Sequence, residues 1–280
     1  MKLRVPDYFD DFSCLAGACP HSCCMEWEVV LDEDTARRYR ALPGPLGERL
    51  RAAMQLDGED WCFPLRGGRC PFLNQENLCE VHLTLDEAAT SVTCREHPRF
   101  VEDYGTFREV TLSASCPEAN RLLLSSEAPL LFPERTDDTP AEAGDEWLTW
   151  LLPLRERMLA LLQNRTRPLN ARLRDILLLA QGVQERLDAE DEDALPELVE
   201  GPLPARSAAP ETTGLFPYAL QFLETLEVLE PDWRDLLHQG EAAEPAPVSE
   251  ALLERIAAYF LFHYILKAVN DGDVLGQTQL

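Results

Sequence analysis

Lysine is almost missing from this 280-residue sequence: Lys2 and Lys267 stand against 23 arginines, an imbalance that reads as codon bias. Basic residues are few and scattered, 25 against 50 acidic ones, for a net charge of −25. No basic patch or stripe is visible, so a nucleic-acid partner is not expected. Long apolar runs are missing too. The nearest, "IAAYFLFHYIL" (256–266), is eleven residues long and carries a histidine, whereas a membrane helix needs about 20; no membrane association is expected. The opening "MKLRVPDYFDDF" has no apolar stretch of the signal-peptide kind, and the protein is read as cytoplasmic. There is no G-x-G-x-x-G, no βαβ alternation, no C-x2-C pair and no cysteine after Cys116.

What is present is uneven. With 45% apolar residues, a core can form. Residues 1–125 carry a net charge of −8 and the remainder −17. Such acidity is a solvated surface, or an attraction for a cationic, lysine-bearing partner. All nine cysteines lie in the first 116 residues, which marks 1–125 as a cysteine-rich module. It holds turn chemistry at "LPGPLG" (42–47), "LDGED" (56–60) and "RGGRC" (66–70). Strand candidates are "WEVVL" (27–31) and "FREVTLS" (107–113). Helix candidates are 32–42, with Asp32 or Asp34 as cap, 46–56 and 117–126. An irregular, metal-organised module with helices and little sheet is expected. Residues 126–145 read as a linker rich in proline and acidic residues. From 146 to 280 the spacing is helical: 146–163 with Pro153 as kink or late start, 168–187, 215–230, 231–239 and 248–269 with Ser249 as cap. Residues 188–214 read as a loop and 270–280 as a frayed tail. The fold class is mainly α: an irregular cysteine-rich module followed by an all-α helical domain.

In a reducing compartment, clustered cysteines are more often metal-binding or catalytic than disulfide-bonded. Their intervening counts from Cys14 are four, three and zero, reaching Cys24; from Cys70 they are eight, fourteen and twenty-one. That is not the paired knuckle of a zinc ribbon, but a cluster enclosed by loops accepts any spacing the fold can bring together. Thiolate suits zinc, copper(I) and iron–sulfur. Proline follows Cys19, Cys70 and Cys116, fixing the backbone beside a ligand. Adjacent side chains point apart, so Cys23 and Cys24 are not expected on one metal ion. Cys62 stands apart and is not expected to be a ligand. His21 could complete a site; the other histidines lack ligand spacing.

Four stretches together, "CLAGACPHSCCMEWEVVLD" (14–32), "CPFLNQENLCEVHLTL" (70–85), "TCREHPRF" (93–100) and "TLSASCPEANRLLL" (111–124), resemble the flagellin lysine-N-methylases. These belong to a broader cysteine-rich group with eight cysteines that chelate zinc or iron. Without Cys62, eight remain here: Cys14, Cys19, Cys23, Cys24, Cys70, Cys79, Cys94 and Cys116. The resemblance implies methyl transfer from S-adenosylmethionine to surface lysines of flagellin or a similar protein, and an iron–sulfur cluster (4Fe–4S, with zinc as alternative) held by part of that set. This sequence departs from the family at His97, where a tyrosine is usual, at Asn120, where a small residue is usual, and in a shorter C-terminal half. With no glycine-rich turn, a nucleoside cofactor would need an unusual site. A lysine must shed its proton before it attacks a methyl group. Tyr104, Glu109 and Glu118 are candidates near the cysteine motifs, and Arg95, Arg99 and Arg121 could bind the cofactor's carboxylate. Each could equally be a structural salt-bridge partner, and Glu118 suits a helix's first turn in any case. The competing reading is a non-catalytic metal-binding module for storage, sensing or partner assembly.

Overall fold

In a computed structural model, the structure describes residues 1–25, 28–136, 138–203, 215–226, 228, 232–242 and 248–279. Two compact units emerge, one of 1–126 with 130–144 and one of 127–129 with 145–280. Among the described residues, no helix is long and apolar enough to cross a membrane.

The first unit runs β1 (Lys2–Arg4), β2 (Val29–Leu31), α1 (Glu33–Ala41), α2 (Gly44–Ala53), β3 (Gln55–Asp57), β4 (Asp60–Phe63), α3 (Glu80–Thr84), α4 (Val92–Glu96), β5 (Arg99–Asp103), β6 (Phe107–Leu112), α5 (Pro117–Leu123) and β7 (Glu134–Thr136). Its larger sheet has the order β5-β6-β1-β7, with β1 parallel to β6 and antiparallel to β7. Its smaller sheet, β2-β4-β3, is antiparallel, and Gly58 (φ +60°) opens the β3–β4 turn. The expectation of little sheet therefore needs correction. Helices dominate the chain, but this unit also holds two sheets. Most of their strands are three or four residues long, too short for alternation to show against loop sequence. Part of the expected linker also belongs here: β7 pairs with β1, and Gly105 (φ +77°) lets the Ala143 carbonyl approach so closely that a Cβ there would sit 2.3 Å from it.

The smaller sheet and α1–α2 enclose a core of Val29, Leu31, Tyr39, Leu50, Phe63 and Phe72. Phe63 stacks on Tyr39 at 5.9 Å and tilts against Phe72 at 4.8 Å.

The second unit is helical: α6 (Leu148–Leu162), α7 (Leu169–Asp188), α8 (Leu195–Glu200), α9 (Leu215–Glu224), α10 (Trp233–Ala242), α11 (Glu250–Tyr264), α12 (Ala268–Asp271) and α13 (Val274–Gln279). Helix α6 packs on α7, α8 and α11. The expected helices at 215–230 and 231–239 are seen at 215–224 and 233–242; residues 227, 229, 230 and 231 lie outside the described ones, as do 204–214 of the expected loop and Trp27 of the strand candidate. Pro153 lies inside α6. Ser249 sits at the N-cap but makes no side-chain cap bond; its hydroxyl donates to Glu127 instead (2.7 Å). The expected frayed tail is a helix. Gly272 turns the chain at φ +70°, Asp273 accepts from the Gly276 N–H (2.8 Å), and α13 packs on α7 with Val274 fully buried.

Charges hold this unit together inside. Glu254, on α11, is buried and accepts from Arg165 (2.8 Å) and Arg172 (2.5 Å). Arg155, fully buried on α6, lies 4.5 Å over the Phe262 ring and donates to the Phe262 carbonyl. Replacing Glu254 by Ala strands a buried guanidinium and should cost about 3–5 kcal/mol in urea unfolding.

His263 is buried, stacked on Tyr259 and edge-on to Tyr264. Burial, with Lys267 nearby, pushes its pKa down to about 4. A histidine depressed in the fold stabilises only while neutral. Its contribution is intact above the unfolded value near 6.5 and is lost as pH falls from there to 4. Glu254, whose arginine bonds outweigh burial and hold it below the ordinary range, loses its contribution further into acid. The melting temperature should fall between pH 6.5 and 4, and His263→Gln should flatten that fall.

Candidate functional site

Three of the thiols belong to the first unit's small core or pack on it. Cys70 is part of that core, and Cys24 and Cys79 pack against it. Cys24, Cys70, Cys79 and Cys94 line one cavity of about 20 Å³, walled by Val29, Phe63 and other apolar side chains. That is space for one water-sized body or ion. Local structure aims each sulfur. The Cys70 N–H donates to the Cys24 carbonyl (2.8 Å), and Leu73 bridges Cys79 across the intervening turn. Cys79 ends that turn and starts α3, while Cys94 rides on α4.

Backbone N–H groups point at the sulfurs. The amide of Ala16 donates to Cys14 (3.4 Å), that of His21 to Cys19 and that of Phe72 to Cys70. In all three the donor sits two residues on; in two of them proline is the residue between. Such donors favour thiolate over thiol and are the outer contacts that tune cysteine-held metal centres. Burial works the other way, pushing Cys94 up and Cys70 up to about 11. Within the doublet, Cys24 donates to Cys23, bringing Cys23 down to about 7 and pushing Cys24 up. A cation placed among these sulfurs would displace their protons.

Cys19 feels the charges of Cys116, Cys14 and Cys23, and burial raises its pKa first. Cys14 and Cys23 are exposed; Cys19 and Cys116 are half-buried. Cys62 is buried in β4 and faces Glu28, Asp57 and Asp60 rather than thiols. His21 enters this site through its backbone amide. Among the described residues, no three His, Cys, Asp or Glu side chains stand closed into a metal-holding group. The eight thiols are gathered without being closed.

The six other candidate residues stand elsewhere. None lines the thiol cavity or the open cleft beside it at Arg69, Asn74 and Glu76. Glu118 and Arg121, both on α5, bind each other through two contacts of 2.7 and 2.8 Å. The Arg121 guanidinium holds the Glu118 carboxyl below its usual range, which makes it a weak base. Glu109 is buried on β6, 3.6 Å from Arg4. Tyr104 stacks on Phe107 in the β5–β6 turn. Arg95 donates to the carbonyls of Ala88 and Thr90. Arg99 lies over the rings of Phe9 and Phe12.

Sequence reasoning missed a supporting shell. It named Asp32 only as a possible helix cap. One Asp32 oxygen does cap α1 through the Thr35 N–H (2.9 Å), but the other accepts from the Val92 N–H, sixty residues on (2.9 Å). The neighbouring Ser91 hydroxyl accepts from the Cys94 N–H (3.2 Å). Asp32 thereby ties α1 to the helix that carries a cavity thiol. Tyr39 lines the cavity and donates to the Ala89 carbonyl (2.9 Å); burial pushes its pKa up, so it stays neutral. The signal that could have found this was the aspartate ending the strand of the first cysteine motif.

Two proteins named Lysine-N-methylase, from Salmonella choleraesuis (strain SC-B67) and Salmonella typhimurium (strain LT2), are each 29% identical to this chain over 143 residues, 49% of this chain and 36% of the relative. A Flagellar biosynthetic protein FliU from Salmonella muenchen is 28% identical over 142 residues, 48% of this chain and 84% of that protein. The match thus spans about a third of the length of the two lysine-N-methylases. No family model and no solved structure matches. The resemblance to the lysine-N-methylases is thus consistent with curated relatives that carry that name.

In metal-free protein, Cys23 should be alkylated ahead of Cys70 at pH 7, because it is about half ionised there while Cys70 remains protonated. Cys24→Ala removes its donor and should slow that reaction. Peptide mapping by mass spectrometry reads both results, and equal labelling of Cys23 and Cys70 would contradict this geometry.

Proposed function

We propose that the chain is a protein lysine N-methyltransferase that uses S-adenosylmethionine and a thiolate-held metal centre, with flagellin or a similar lysine-bearing protein as substrate. The observation that carries this reading is the likeness of half the chain to proteins named Lysine-N-methylase. The FliU relative adds the flagellar connection.

The donor set fits a soft metal. Eight thiols gather in one unit, several with N–H groups aimed at sulfur. Cys24, Cys70, Cys79 and Cys94 enclose room for a single ion. Cys14, Cys19, Cys23 and Cys116 do not line that cavity and are exposed or half-buried, where a larger 4Fe–4S group could be seated. When bound, such a centre supplies fixed positive charge that keeps the thiolates ionised, and in the cluster form a redox-capable group.

In the reaction, the lysine Nε lone pair forms a bond to the donor methyl carbon while the carbon–sulfur bond breaks and its electron pair stays on the departing thioether. The lysine must first lose a proton. Glu118, held by Arg121, is poorly suited to take it. Because Arg95, Arg99 and Arg121 are engaged within the unit, a carboxylate of the cofactor would have to compete with those partners. The same engagement favours a second reading, a metal-binding module without catalysis.

Anaerobic incubation with methyl-labelled S-adenosylmethionine and flagellin separates the two. The expected result is label on flagellin lysines. No transfer to flagellin or other lysine-bearing protein, together with no calorimetric binding of S-adenosylmethionine, would leave the non-catalytic module.

A further inference from the structure

Eight thiols are twice what one four-thiolate centre can use, and the structure sorts them. We propose that they form two neighbouring four-thiol centres, an inner one of Cys24, Cys70, Cys79 and Cys94 and an outer one of Cys14, Cys19, Cys23 and Cys116. The proposal rests on the thiolate-metal part of the function proposed above and deepens it.

The inner set is defined by a shared cavity, although Cys94 also reaches solvent. Its four thiols line one cavity whose remaining walls are mostly apolar, so an ion there meets sulfur and little else. A volume of about 20 Å³ suits one ion. Three of the four side chains pack with the core, and Asp32 and Ser91 place the fourth.

The outer set is defined by neighbourhood. Cys14, Cys23 and Cys116 are the three thiols whose charges reach Cys19, while that of Cys23 reaches Cys70 and Cys94 as well. The 3-10 turn at Ala16–Ala18 separates Cys14 from Cys19 and folds one back toward the other. The amides of Ala16 and His21 donate to Cys14 and Cys19. Cys116 enters from the far end of the unit, its N–H held by the Ser113 carbonyl (3.0 Å) just before α5.

The doublet is the joint between the sets. Cys24 lines the inner cavity and Cys23 does not. Cys23 is exposed and reaches Cys19, yet it also lies against Cys24 and within reach of Cys70 and Cys94; its absence from the cavity lining is what places it in the outer set. One peptide bond thus links a ligand of each centre. Cys62 belongs to neither, since its neighbours are carboxylates.

Cobalt(II) titration of the reduced, metal-free full-length protein under anaerobic conditions tests this, read by the absorption of tetrahedral thiolate-bound cobalt. Wild type should take up two equivalents. Cys70→Ser and Cys116→Ser should each lose one, the double variant both, and Cys62→Ser neither. Cadmium-113 NMR of the wild type needs no variant and should show two all-sulfur resonances. A single equivalent or a single resonance in the wild type would overturn the division. So would a Cys70→Ser, Cys116→Ser double variant that loses no more than either single one. The outcome is independent of methyl transfer: two equivalents in a protein that transfers no methyl group would keep this inference and sink the enzyme. Methyl transfer by a protein with one equivalent would do the reverse.

Discussion

Ionisable sulfur inside a small apolar core is the constraint on which the first unit depends. Burial alone keeps a thiol protonated, as Cys70 shows. The fold answers with amides directed at sulfur and with the shared proton of Cys24 and Cys23. The four inner thiols surround a space of about 20 Å³, and in the reading proposed above a cation there would complete the answer. The short strands, the proline-fixed turns and the two helices of five residues that carry or follow Cys79 and Cys94 are what such a core requires. Each segment delivers one or two sulfurs and then leaves.

The second unit solves a different problem by different means. Its interior is built on leucine-rich helices, and its buried carboxylates are paired within the unit, Glu254 with Arg165 and Arg172, Asp175 with Arg167. The Glu254 pairs pin the turn between α6 and α7, and α7 itself, to α11, and the Asp175 pair holds that turn to α7. Such pairs define geometry more than they add net stability. The near absence of lysine fits this use, since a planar guanidinium can satisfy several acceptors at once where an ammonium cannot.

How much was legible in the sequence differs between the units. Helices α6, α7 and α11 follow long apolar periodicities, and their positions agree with the reading to within a few residues. The tail was misread because its signals are local: Gly272 in a left-handed turn and Asp273 as a cap read as loop residues until Val274 is seen to be buried. Strands β1 and β7 pair across more than 130 residues, and three residues carry no period. The cysteines were legible as a class and Cys62 as an outsider, because spacing and motif context are sequence properties. Which thiol faces which was not, since that depends on non-local placement such as the Asp32 link to Val92. Glu118 and Arg121 were picked separately for opposite roles. Their spacing of three on a helix, which makes them each other's partner, was available in the sequence.

The placement of the inner thiols also bears on how the chain is tied in the unfolded state. Cys24 and Cys94 lie seventy residues apart and meet at one cavity. A centre bonded to both would close loops of that length, as a cross-link does, and remove chain entropy by an amount that in disulfide loops of comparable size is about 4 kcal/mol. Unlike a disulfide it needs no oxidant, so a reducing environment leaves the tether in place. Such a knot would be untied by a chelator rather than by a thiol.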